Sequence, residues 1–171
     1  MSIRIAFKAL ALISLLSSCT TPLTVDKEQE TAKILELHNL QRSYHFDKMP
    51  EPLASLLSEH HISVNRGEIK RPTKASNIER FGNYFNAVEF EKWDDIQPPV
   101  IRFSDDYSMA YTVVNKEVTV RYQNEESDTI RSTTEFAWVA IYRKRNDEWL
   151  IDCVASTNKP DVEAVLTDSS K

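Results

Sequence analysis

The side chains of this chain that could do chemistry are four histidines, two cysteines and two pairs of adjacent aspartates. His45 stands in Ser43-Tyr44-His45-Phe46-Asp47, at a predicted junction between two helices. An imidazole there can act as a general acid or base, or can simply bond to backbone. His38, seven residues earlier and on about the same helical face, reads as a packing or surface residue. His60 and His61 are adjacent at a helix-to-strand junction, so they should point apart. With no Cys or third His at ligand spacing, no metal site is expected. Asp94-Asp95 and Asp105-Asp106 sit beside predicted turns, where short acids bond local backbone, and read as solvated turn residues. No nucleophile-elbow pattern is present. The only two glycines, Gly67 and Gly82, are too far apart to cradle a phosphate or a dinucleotide, so no cofactor is expected.

Cys19 has a different chemistry. Arg4 and Lys8 precede an apolar run from Ala9 to Leu15 and then small residues at Ser17 and Ser18, the three-part layout of an export signal. The run is too short to span a bilayer. Leu16-Ser17-Ser18-Cys19 resembles a lipobox, which implies cleavage of residues 1–18 and acylation of Cys19. Two or more acyl chains on one cysteine anchor a protein stably. Thr20, where an Asp would suggest inner-membrane retention, points to the periplasmic face of the outer membrane in a Gram-negative cell. Loss of residues 1–18 removes Arg4 and Lys8 and leaves 19 basic against 26 acidic residues, a net charge of −7. That balance argues against nucleic acid as a partner. Cys153 is then the sole remaining thiol, so the exported domain has no disulfide available, and the residue reads as buried.

Residues 19–26 form a lipidated tether and 159–171 lack an ordering pattern, which predicts a flexible tail. Between them, Ile34, Leu37, Leu40 and Tyr44 recur at helical spacing over 27–45. A second helix is predicted at 50–59, with Asp47 as its cap, Pro50 and Pro52 in its first turn, and Leu53, Leu56 and Leu57 facing inward. His61 to Val64 reads as a strand ending at Asn65-Arg66-Gly67. Ser76-Asn77-Ile78-Glu79 has the capping-box pattern of a third helix, with Ile78, Phe81, Phe85 and Val88 on one face. Residues 88–94, 99–103, 109–123, 130–144 and 148–157 are rich in β-branched and aromatic residues separated by turn signals. Helices first and antiparallel strands afterwards predict a single α+β domain over 27–158.

That order, with LASLLSEHHISVNRGEI closing the helical pair and NDEWLIDCVAST closing the strands, resembles the SnoaL-like branch of the nuclear transport factor 2-like superfamily. The resemblance implies a cone: three N-terminal helices packed on a strongly curved, mostly antiparallel sheet, with a pocket between them and sheet-to-sheet homodimers. Members include isomerases, cyclases, dehydratases and binding domains, so the site must decide. Where the steroid isomerases of the superfamily carry a carboxylate base, this chain has Asn65 or Arg66, and neither can abstract a proton at neutral pH. Arg66 could hold a ligand carboxylate, or could pair with Glu68 on the surface.

Alternation along the last strand groups Trp149, Ile151, Cys153 and Ala155, and along the preceding one Phe136, Trp138, Ala140 and Tyr142. This predicts a mostly apolar, aromatic wall. The expected ligand-binding set is His45, Asn65, Arg66, Tyr84, Phe136, Trp138 and Cys153. The expected function is non-catalytic binding of a small apolar ligand or an envelope protein. The alternative is an isomerase-, cyclase- or dehydratase-type enzyme using His45 with a polar helper such as Asn65 or Tyr84.

Overall fold

The computed structural model describes residues 25–166; the predicted export signal and Cys19 lie outside them. Helix α1 (Lys27–Phe46) opens at Asp26, whose carboxylate accepts from the backbone N–H of Glu28 (2.9 Å) and Gln29 (3.3 Å). These bonds satisfy amides that a helix start otherwise leaves free. Helix α2 (Pro50–Ser55) begins on Pro50, which has no amide to satisfy, and is shorter than predicted because β1 (Leu57–Asn65) already starts at Leu57. Asp47 closes α1 rather than capping α2, whose N-cap is Met49.

A two-residue turn joins β1 to β2 (Glu68–Lys70), a strand the sequence did not announce. Both turn residues are left-handed, Arg66 at φ 51° and Gly67 at φ 78°, as the twist of a tight hairpin demands. Helix α3 (Lys74–Ala87) starts one turn earlier than its predicted cap. Thr73 is the N-cap, its hydroxyl accepting from the Ser76 amide at 3.2 Å, so Ser76 lies inside the helix.

Five strands follow close to their predicted positions: β3 (Glu89–Asp95), β4 (Val100–Phe103), β5 (Met109–Gln123), β6 (Thr129–Arg145) and β7 (Glu148–Asn158). The segment expected to be a patternless tail contributes β8 (Val162–Val165), paired antiparallel with the start of β6. The curved sheet has the order β2-β1-β7-β6-β5-β3, with β4 added on β5 and β8 on β6. All its ladders are antiparallel except β1 with β7, which is parallel. The core lies between the helices and the inner sheet face, built on Ile34, Leu53, Leu56, Phe85, Tyr142, Trp149 and Ile151.

One irregularity redirects the inner wall. Between Tyr142↔Ile151 and Ile141↔Cys153 the β6–β7 register shifts, leaving Asp152 as an extra residue on β7. A bulge of this kind reverses the alternation beyond it. Trp149 and Ile151 face the core before the bulge; after it Val154, opposite buried Ala140, packs on the core. Cys153, opposite Ile141, is turned to the outer face, contrary to the simple alternation. Val154 and Ser156 take the inner positions that this alternation assigned to Cys153 and Ala155, and Asn158 follows them.

Candidate functional site

A cleft of about 340 Å³ opens where the β1–β2 hairpin and the first half of α3 meet the ends of β6 and β7. Its polar wall is Ser63, Asn65, Ser76 and Asn158, its apolar floor is half-buried Phe136, and its charged residues are Arg66, Glu68, Lys70 and Arg80. Phe136 and Asn158 are opposed on β6 and β7, and Asn65 is opposed to Ser156 on β1 and β7. The Asn65 amide donates to the Ser156 hydroxyl at 2.8 Å, which fixes the strand end beside the cleft. The sheet supplies an aromatic floor to the cleft, while the hairpin and α3 supply its charged groups.

The two guanidiniums are the chemically distinctive groups. Glu68, the anticipated surface partner of Arg66, pairs with Lys70 at 2.6 Å instead. Neither Arg66 nor Arg80 forms an ion pair among the described residues. Arg80 donates to Oδ1 of buried Asn77 at 3.3 Å and lies over the Phe81 ring at 4.3 Å. Arg80 meets solvent through the cleft, yet the surrounding protein desolvates it and lowers its pKa from the ordinary arginine value. The guanidinium stays charged, with donors left over.

The remaining candidates lie apart from this lining. His45 is stacked on Trp93 (4.6 Å between centroids) and meets Phe85 and Phe90 edge-on at 5.3 Å each. Its Nδ1 lies 2.6 Å from the Gln41 carbonyl and donates to it, since a carbonyl can only accept. Burial holds its pKa down at about 4, against that hydrogen bond and with help from Lys116 and Arg80 nearby. His45 is thus a neutral imidazole in an aromatic box. Tyr84 packs edge-on against Phe90 at 5.4 Å with a hydroxyl whose pKa burial raises, and Trp138 leans on Trp93 at 6.0 Å. Of the seven residues expected to bind ligand, the fold brings Asn65, Arg66 and Phe136 to the cleft. It packs His45, Tyr84 and Trp138 into or beside the aromatic cluster and turns Cys153 away.

A second polar cluster holds α1 to the sheet. His38 Nε2 lies 2.7 Å from Asp95 Oδ2, and buried Lys116 Nζ lies 2.7 Å from Asp95 Oδ1 and 3.8 Å from the Trp93 ring centre. Burial lowers the pKa of both His38 and Lys116, more than Asp95 restores. His38 is therefore neutral, with its proton on Nε2 facing the carboxylate. Asp95 is drawn below its ordinary value: burial opposes this, but Lys116 and His38 outweigh it. Asp94 pairs with Arg42 at 2.9 Å. Neither acid of this pair is a free turn carboxylate as expected. Asp106 does behave as one, accepting from Ser104 and Ser108. His60 is exposed and His61 buried, so adjacent side chains do point apart.

Sequence reasoning missed Arg80, Ser63, Ser76 and Asn158 in the cleft and the Lys116–Asp95 pair beneath the aromatics. A signal for Lys116 existed. It is the one charge on the alternate positions Ala110, Thr112, Val114, Lys116 and Val118 of a strand whose alternation marks that face as inward. Arg80 had none, because a helix arginine next to apolar positions is ordinary.

No sequence-family model matches the chain, and no curated relative resembles it in sequence. Solved structures do resemble it in shape. An NTF2-like protein from Cytophaga hutchinsonii aligns with a TM-score of 0.55 at 16% identity, covering 78% of this chain and 98% of the other. An NTF2-like protein of unknown function in nutrient uptake, from Rhodospirillum rubrum, gives 0.54 at 17% identity over 72% and 96% of the two chains. A hexachlorocyclohexane dehydrochlorinase from Novosphingobium barchaimii gives 0.60 at 11% identity over 80% and 91%. These likenesses establish that the domain has the nuclear transport factor 2-like cone fold.

Proposed function

We propose that the protein is a membrane-anchored envelope lipoprotein whose cone domain binds a small molecule without chemically changing it. The observation that carries this reading is the make-up of the cleft: two guanidiniums, four short polar side chains and an aromatic floor. Its one carboxylate, Glu68, is exposed and tied to Lys70. Such a lining can bind and orient, but it offers no group poised to move a proton at neutral pH. Its volume lies at the small end of the roughly 300–1,000 Å³ range of ligand pockets. The fold itself does not choose, since it carries both enzymes and binding domains. The envelope location and the lipid rest on the sequence around Cys19.

One observation favours a second reading, that of an enzyme. His45 is neutral at pH 7, with Nδ1 occupied and Nε2 making no hydrogen bond among the described residues, so it has a lone pair with which to accept a proton. The two readings part in one experiment. The full mature chain is purified in a non-ionic detergent, bound small molecules are recovered by mass spectrometry, and any hit is tested for binding and turnover. Phe136→Ala should weaken binding by about tenfold or more, as loss of an aromatic contact surface does, and His45→Gln should leave it within a few-fold. Turnover of a hit that disappears in His45→Gln would overthrow the binding-module reading, because losing a general base costs about a hundredfold or more in rate.

A further inference from the structure

We infer that the cleft is built for a small organic monocarboxylate: an apolar body on Phe136 and an anionic head between Arg66 and Arg80. This deepens the binding-module reading and rests on it. Three independent features converge. First, of the three cations in the cleft only Lys70 has a carboxylate partner among the described residues; Arg66 and Arg80 bring charge with no such partner there into the same concavity. A guanidinium offers five donors in a planar fork that matches a carboxylate two-to-two. In Arg80 one edge is engaged by Asn77, so the fork is held in place with donors to spare.

Second, the surrounding protein already desolvates Arg80, shifting its pKa downward. An unpaired cation in such surroundings is relieved by an arriving anion more than a fully hydrated one would be. Third, Arg66 occupies a left-handed turn position at φ 51°, where Gly or Asn sits more easily than a long side chain. The tight hairpin that demands this conformation places Arg66 in the cleft lining together with Arg80.

The same lining argues for one negative charge rather than two. Glu68 stands in the wall and would repel a dianion, and it already occupies Lys70. A phosphate also has no use for the apolar floor that Phe136 provides. Because the mature chain is acidic overall, its long-range field does not attract anions, so affinity must come from direct contact with the two forks.

The test uses the full mature chain in a non-ionic detergent and isothermal calorimetry with matched pairs: benzoate and benzamide, phenylacetate and phenylacetamide, butyrate and butyramide, with inorganic phosphate as a competitor. At least one acid should bind tenfold or more tightly than its amide. Arg80→Gln and Arg66→Gln should each weaken that acid by tenfold or more, and Arg80→Lys should recover part of the loss. Arg71→Gln, outside the lining, should change nothing. Should Arg80→Gln fold poorly in a thermal melt, Arg66→Gln, on an exposed hairpin turn, carries the decision. The inference is overturned if no acid binds, if both glutamine variants bind the acid like the wild type, or if phosphate displaces it at equal concentration. Amides that bind as well as their acids would overturn the inference alone and leave the binding-module reading standing. Absence of binding by every acid and amide, with no molecule recovered from the cell, would bring down both.

Discussion

Lys116 is a costly residue choice, a cation only 2% exposed between two tryptophans. Buried charges persist only when paired, and Asp95 supplies the pair. Asp95→Asn should therefore destabilise the protein by about 2–4 kcal/mol in urea unfolding at pH 7, because it strands the lysine. Adding Lys116→Met to Asp95→Asn should recover much of that loss. His45 supplies a pH dependence. Its pKa falls from 6.5 in the unfolded chain to about 4 in the folded one, so between those values the unfolded state binds more protons and stability rises with pH. The wild type should lose on the order of 2–3 kcal/mol between pH 7 and pH 4 from this group, and His45→Gln should lose correspondingly less over the same interval. His38 adds a loss of the same sign. Equal pH profiles for His45→Gln and wild type would contradict the aromatic-box description.

At the scale of elements, the start of α1 is tied to the β6–β7 hairpin by a single buried carboxylate. Glu30 accepts from Trp149 Nε1 at 2.6 Å and from Lys144 and Lys33 at 2.9 Å each. Burial alone would raise its pKa, but these three donors together bring it down to about 2. The sign is that of a depressed acid: its contribution is present above the unfolded value near 4.5 and is lost as pH falls toward 2. Glu30→Gln should cost about 2–3 kcal/mol at pH 7, leaving Lys144 only the exposed Asp147 at 3.6 Å, and should remove this part of the acid sensitivity. The β7 bulge is the other decisive element. Because it turns Cys153 outward, Cys153→Ser should leave cleft binding unchanged and cost less than about 1 kcal/mol. A burial-raised thiol pKa should keep its native-state labelling slow. Ligand binding lost in Cys153→Ser would restore the uninterrupted alternation that the register excludes.

For the whole molecule, the proposed lipid anchor at Cys19 would hold the domain at a membrane surface. Cys19→Ser should block maturation and move the protein out of the detergent phase on phase partitioning, and unchanged mass and partitioning would refute the anchor. Much of the architecture was legible before any tertiary information. The 3.6-residue recurrence of Ile34, Leu37 and Tyr44 and the long alternating runs of β5, β6 and β7 are local signals, each set by which face must leave water. The order of helices before strands then points to one α+β domain, and the resemblance to the nuclear transport factor 2-like superfamily implies the cone. Two short strands, β2 and β8, escaped because they are wholly exposed and have no alternation to read; their partners alone make them strands. The site divides in the same way. Asn65 and Arg66 were singled out through the family resemblance at a strand end, and Phe136 through alternation along its strand; all three line the cleft. Arg80 joining them, Glu68 choosing Lys70, and Asp95 reaching His38 and Lys116 were decided only by the tertiary structure. Those contacts connect residues that are distant in the chain or compete for one partner, and a bulge of one residue on β7 reverses which side chains face inward without leaving a mark in the local pattern.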